Sequence, residues 1–148
     1  MKKIIFLGLA FVAFISDTPA QEFKVITTVE SIVPMGIGRS RMIDNKQPMD
    51  YKKFTTERTG GKDSNQGKVD RTDAKIDNME ETKLLNFYSG VGINFQNIAS
   101  NDAIIGSKLN EMAKEGWELM FVTSGVESDS GKDDGKGIFI TRYVFRKK

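Results

Sequence analysis

The chain has 148 residues, 39% of them hydrophobic and 28% charged, which suffices for one domain with a modest core. Its formal charge is only +2, so no strong field is available to gather nucleic acid or an anionic membrane, and nucleic acid is not an expected partner. Cysteine and histidine are both absent, which removes disulfides, thiolate and imidazole metal ligands and the commonest general base together.

Met1-Lys2-Lys3, a short apolar run from Ile4 to Ile15 and the small residues Thr18-Pro19-Ala20 read as a secretory signal peptide over residues 1–20, cut ahead of Gln21. The competing reading, a retained anchor, needs about 20 apolar residues to cross the hydrocarbon core, and this run is shorter. No cysteine lies near the cut, which excludes lipoprotein anchoring. Lys2, Lys3 and Asp17 leave with the leader, so the charge of +2 becomes +1. The expected product is exported, periplasmic or secreted, without stable membrane anchoring.

From Glu22 to Val33 the chain is β-branched and aromatic, with Phe23, Val25, Val29 and Val33 on one side of a strand and Ile26 and Ile32 on the other. Pro34-Met35-Gly36-Ile37-Gly38 suits a reversal into a second strand around Arg39 to Ile43, making an N-terminal hairpin. Gly36-x-Gly38 is followed by no helix pattern whose N-terminus could hold a phosphate, so the turn reading is preferred.

Residues 44 to 83 carry nine acidic and nine basic residues, and between Thr55 and Asn78 only Val69, Ala74 and Ile76 are aliphatic. Little of this can be buried, so a polar, mobile insertion is expected at about 45–82, with a short edge strand possible at Tyr51 to Thr56. Apolar order returns at Leu84-Leu85-Asn86-Phe87-Tyr88, read as a strand, although Glu80 to Lys83 could equally start a helix there. Ser100-Asn101-Asp102 offers N-caps for the helix that follows.

Between Asn101 and Gly116 the residues Ile105, Leu109, Met112 and Ala113 recur at helical spacing, while Lys108, Asn110, Glu111, Lys114 and Glu115 fall elsewhere. Gly116 stands where a helix stop needs positive φ, and Trp117 to Val122 leaves as a strand expected to be buried. Gly125 to Gly137 is a glycine-rich hairpin loop. The last strand, Ile138 to Phe145, has Phe139, Tyr143 and Phe145 on one face and Ile138, Ile140, Arg142 and Val144 on the other. The elements add up to an α+β fold: a small antiparallel sheet with one main helix on one face, and hairpins at both ends.

The run Leu109-Asn110-Glu111-Met112-Ala113-Lys114-Glu115-Gly116-Trp117-Glu118-Leu119, closed by the strand Tyr143-Val144-Phe145-Arg146-Lys147, resembles the signature of a family of short bacterial domains of unknown function, domain of unknown function 4177. The likeness covers roughly the last third of the chain and the opening strand Glu22-Phe23-Lys24-Val25, while the long middle departs from it. It implies a small α+β sheet-and-helix fold and brings no catalytic residue with it.

Glu127, Asp129, Asp133 and Asp134 could supply oxygen ligands for calcium. The spacing is not that of an EF-hand, and Lys132 and Lys136 offset the charge, so a solvated hairpin tip is preferred. Arg39 and Arg41 stand two apart on one strand, with Arg142 near if the terminal strands pair, and could bind a carboxylate or phosphate or else pair with the protein's own acids. No nucleophile stands out beside a base. The expected protein is an exported, non-catalytic interaction module that binds a protein partner or its own copy, without a cofactor. The alternative is a small-anion or metal-dependent binding protein, or an enzyme, using the arginines or the acidic loop.

Overall fold

A computed structural model of the chain describes residues 21–32, 40–126 and 137–147. Five strands form one antiparallel sheet: β1 (Phe23–Ser31), β2 (Arg41–Asn45), β3 (Met79–Lys83), β6 (Trp117–Val126) and β7 (Ile138–Lys147), in the spatial order β3-β2-β1-β7-β6. Tyr88–Ser89 (β4) and Gly92–Ile93 (β5) make a separate two-stranded hairpin, and α1 spans Phe95–Lys114. The α+β architecture is therefore the one expected, with β1–β2 and β6–β7 as antiparallel pairs and β1–β7 joining them at the centre.

Alternation along β1 and β7 sorts the side chains onto two faces. Ile26 lies opposite both Asp44 and Tyr143, and Lys24 opposite Phe145, so even positions of β1 share a face with Met42, Tyr143 and Phe145. Helix α1 covers this face. Ile26, Met42, Leu84, Met112, Trp117 and Phe145 form the buried core, with Ile104, Leu109 and Tyr143 against it. Burying each large side chain fully contributes roughly 1.5–3 kcal/mol, so these residues carry much of the stability.

Several expectations are corrected. The helix begins at Phe95, capped by Asn94, whose side chain accepts from Gln96 N and Asn97 N, and Asn101 is buried within it. Asn101 therefore faces the protein interior. Ala113 is exposed, whereas Lys108, which the helical spacing sets off the apolar face, reaches inward to Asp44. Gly116 has φ +84° and ends the helix as expected.

Tyr51–Phe54 is a 3-10 turn and adds no strand, and a second such turn occupies Gln66–Lys68. The edge strand comes instead from Met79–Lys83, all exposed, because its ladder to β2 supplies hydrogen bonds that need no apolar side chains. Leu84 to Phe87 form no strand. Leu84 enters the core, Leu85 is held by Asn101, and Phe87 meets Phe139 with ring centroids 5.7 Å apart. Strand β6 is an edge rather than a buried strand, and beyond Glu118 its residues are exposed.

Candidate functional site

The second face of the sheet is left open among the described residues. Phe23, Val25, Thr27 and Val29 of β1 stand on it, beside Ile43 of β2, Ile140 and Val144 of β7 and Phe121 of β6. Val25, Val144 and Phe121 form one apolar row across three strands. Phe23 is 60% exposed and Phe121 58%, values foreign to a core. Of the segment from Leu84 to Ile98, which could have folded over this face, Leu84 and Phe87 pack on the helix side, while Tyr88, Val91, Ile93 and Phe95 are exposed.

A groove of about 750 Å³ opens at one end of this face. Phe23, Val25, Thr27, Ile43 and Asn45 line it together with Gln47, Pro48 and Met49. The turn carrying the last three follows from Asn45, whose side chain accepts from Gln47 N (3.0 Å) and donates to Gln47 O (2.9 Å). Such an Asx turn reverses the chain over the sheet. Trp117, under the Lys147 ammonium at 4.7 Å, borders the same groove.

Arg41 and Arg142 share the open face, but on neighbouring rows and with β1 between their strands. Arg41 Nη1 donates to Glu81 Oε1 at 2.6 Å. Arg142 is exposed and forms no ion pair among the described residues. Arg39 and the acidic residues Glu127, Asp129, Asp133 and Asp134 lie outside the described residues. Among the described residues no group of three or more His, Cys, Asp or Glu is placed to hold a metal ion. Likewise, no described helix is long and apolar enough to cross a membrane.

Two polar clusters on the helix side were not anticipated. Asp44, 3% exposed, is ringed by Lys24 at 2.8 Å, Lys46 at 3.0 Å and Lys108 at 3.1 Å. Burial pushes its carboxyl up, but hydrogen bonds from the three ammoniums outweigh this and hold it below the usual carboxylate range. The second cluster centres on Asn101, fully buried, which accepts from Leu85 N and donates to Leu85 O and to Glu30 Oε1, all at 2.8 Å. Burial raises the Glu30 carboxyl above its ordinary range, with Asp102 adding to the effect against the Asn101 hydrogen bond. Tyr143 is raised too, chiefly by burial. Alternation along β1 could have placed Asp44 opposite Ile26 had the hairpin register been legible, but no spacing rule pointed to Lys108 or Asn101.

These clusters tie the helix to the sheet, and only Lys24 and Lys46 of the first reach the groove. The lining of the groove offers apolar area, amides, the Glu22 carboxylate and two lysines already committed to Asp44. Compared with known proteins, the chain matches no protein-family model, no curated protein and no solved structure.

Proposed function

We propose that the protein is a non-catalytic interaction module, exported and freed of residues 1–20, that binds a protein partner through the open face of its sheet. The observation behind this reading is the uncovered apolar row Val25, Val144 and Phe121, continued by Phe23 into the groove. Contiguous exposed apolar area beyond a few hundred Å² is uncommon on monomeric proteins and marks surfaces that meet something else. Likeness to the short bacterial domains of unknown function is part of the same proposal and assigns no chemistry. Small-anion binding by Arg41 and Arg142 is the weaker reading, because the Arg41 guanidinium is engaged by Glu81.

A photo-crosslinking phenylalanine analogue at Phe23 tests the proposal in the producing cells. A discrete protein adduct is expected from that position and none from Ser107, exposed on α1. Absence of any discrete adduct at Phe23, or equal labelling from Ser107, would remove the open face as the binding surface.

A further inference from the structure

The two edges of the five-stranded sheet are built differently. Strand β3 reads Met79-Glu80-Glu81-Thr82-Lys83, and its two acids pair with Lys46 and Arg41. A charged edge of this kind resists the addition of another strand. Strand β6, at the far edge, pairs only with β7 among the described residues. From Leu119 to Val126 it has no charge and no proline, and every residue is exposed. Its one protective irregularity is the register shift at Met120, after which Phe121 to Val126 runs regularly. Half of the backbone donors and acceptors in that stretch point away from β7.

We infer that β6 is a self-association edge: a second copy of the chain adds its own β6 antiparallel, joining two five-stranded sheets into one. A second copy is the fitting occupant because the stretch is complementary to itself. A two-fold axis through Ser124, perpendicular to the sheet, sets Val122 of each copy opposite Val126 of the other and Thr123 opposite Gly125. Apolar side chains meet, the residues between them are small, and no like charges are brought together. The faces agree as well. Val122, Ser124 and Val126 pair with Tyr143, Thr141 and Phe139 on the helix side, so the axis keeps both helices on one side and both open faces on the other. This surface is distinct from the open face, and either can fail without the other.

Because the chain has no cysteine, Ser124→Cys carries a single thiol. Facing residues of an antiparallel pair stand roughly 4.5–5.5 Å apart at Cα, within reach of a disulfide. Mild oxidation should therefore link Ser124→Cys into a covalent dimer and leave Ser107→Cys monomeric. In sedimentation from about 1 μM to about 1 mM, the range suited to a small interface, the purified protein should approach twice the single-chain mass. Val122→Lys with Val126→Lys should abolish this, and mixing that variant with Val122→Glu/Val126→Glu should restore a mixed dimer. Val25→Lys, on the open face, should leave it intact. A wild-type monomer throughout, a dimer that survives the lysine pair, or one lost only with Val25→Lys would overturn the inference. If the lysine pair fails to fold, the crosslink alone decides: equal linkage at positions 124 and 107 refutes the pairing.

Discussion

The Nζ atom of Lys108, on α1, stands 3.1 Å from Oδ2 of Asp44, on β2, and makes that carboxylate a fastening point between helix and sheet. Lys24 and Lys46 close on the same group from β1 and from the end of β2, while Glu80 and Glu111 hold the outer sides of Lys46 and Lys108. Three cations and three anions thus balance. Removing the central one leaves three ammoniums facing each other in a partly desolvated site.

Asp44→Asn should accordingly lower stability by about 2 kcal/mol, less than the full cost of breaking a buried pair because the lysines keep some contact with water. Urea unfolding checks it, with the midpoint falling and the slope unchanged. The pH dependence has a definite sign. The folded carboxyl of Asp44 lies below its unfolded value, so its stabilisation is present above that unfolded value, about pH 4, and is lost as pH falls through the folded one. Lys46 is raised by its hydrogen bonds to Asp44 and Glu80, and Lys108 by its bonds to the same carboxylate and Glu111 despite burial. Their share is complete below the unfolded lysine value, about pH 10.4, and is lost as pH rises through the folded values. Asp44→Asn should flatten both limbs of the curve.

Glu30 should behave in the opposite way. Its folded pKa is raised, first by burial, so protonation favours the folded state and its contribution is fully present below the unfolded value and lost as pH rises through the folded one. Glu30→Gln removes the desolvated charge and keeps an oxygen to accept from Asn101 Nδ2. The variant should melt higher than wild type at neutral pH, and the two should converge in acid. Convergence in the reverse direction would show that the negative charge itself is stabilising.

Gly116 isolates a backbone effect. With φ at +84° and no atom within 4 Å of a built Cβ, an added methyl group meets nothing, so any cost of Gly116→Ala comes from the left-handed conformation alone. That cost is about 1 kcal/mol, and Gly116→Asn should cost less because asparagine tolerates the region. Thermal melts of the two variants give the order directly. A Gly116→Ala protein as stable as wild type would mean that the helix end re-forms without positive φ.

Alternation in β1 and β7, helical spacing through Met112 and the stop at Gly116 were all legible because each depends on residues close in sequence. Which face the helix covers was not. A period of two divides Phe23 and Val25 from Ile26 but does not say which set is buried; the choice rests on where α1 docks, through Met112, Ile104 and Lys108. Asn101 carried the chemistry of a helix cap, yet it serves as a bridge to the backbone of Leu85, a role set by a segment 16 residues away. Trp117 to Val126 is apolar enough for a central strand, and only the sheet order reveals it as an edge. The candidate site was legible as a surplus of apolar faces over one helix. Its groove was not, since the Asn45–Gln47 turn lies at the start of a segment that reads as featureless and polar.

That polar segment supplies the last prediction. Lys46 N donates to Asn78 O at 3.1 Å and Asp77 N to Gln47 Oε1 at 3.2 Å, so residues 48–76 leave and rejoin the sheet at one point. None of these residues is buried, and neither 3-10 turn contributes a buried side chain. Pro48 and Met49 line the groove and must stay, as must β3, whose ladder covers β2. Replacing residues 52–74 by four glycine or serine residues should therefore preserve cooperative unfolding, with stability changed by no more than about 1 kcal/mol. Loop closure even favours the shorter chain, by about 0.6 kcal/mol for each halving of loop length. Chemical denaturation and near-ultraviolet circular dichroism of the shortened protein check the outcome. Loss of the cooperative transition, with Trp117 no longer in a fixed environment, would show that the segment supports the fold through contacts beyond its two anchoring hydrogen bonds.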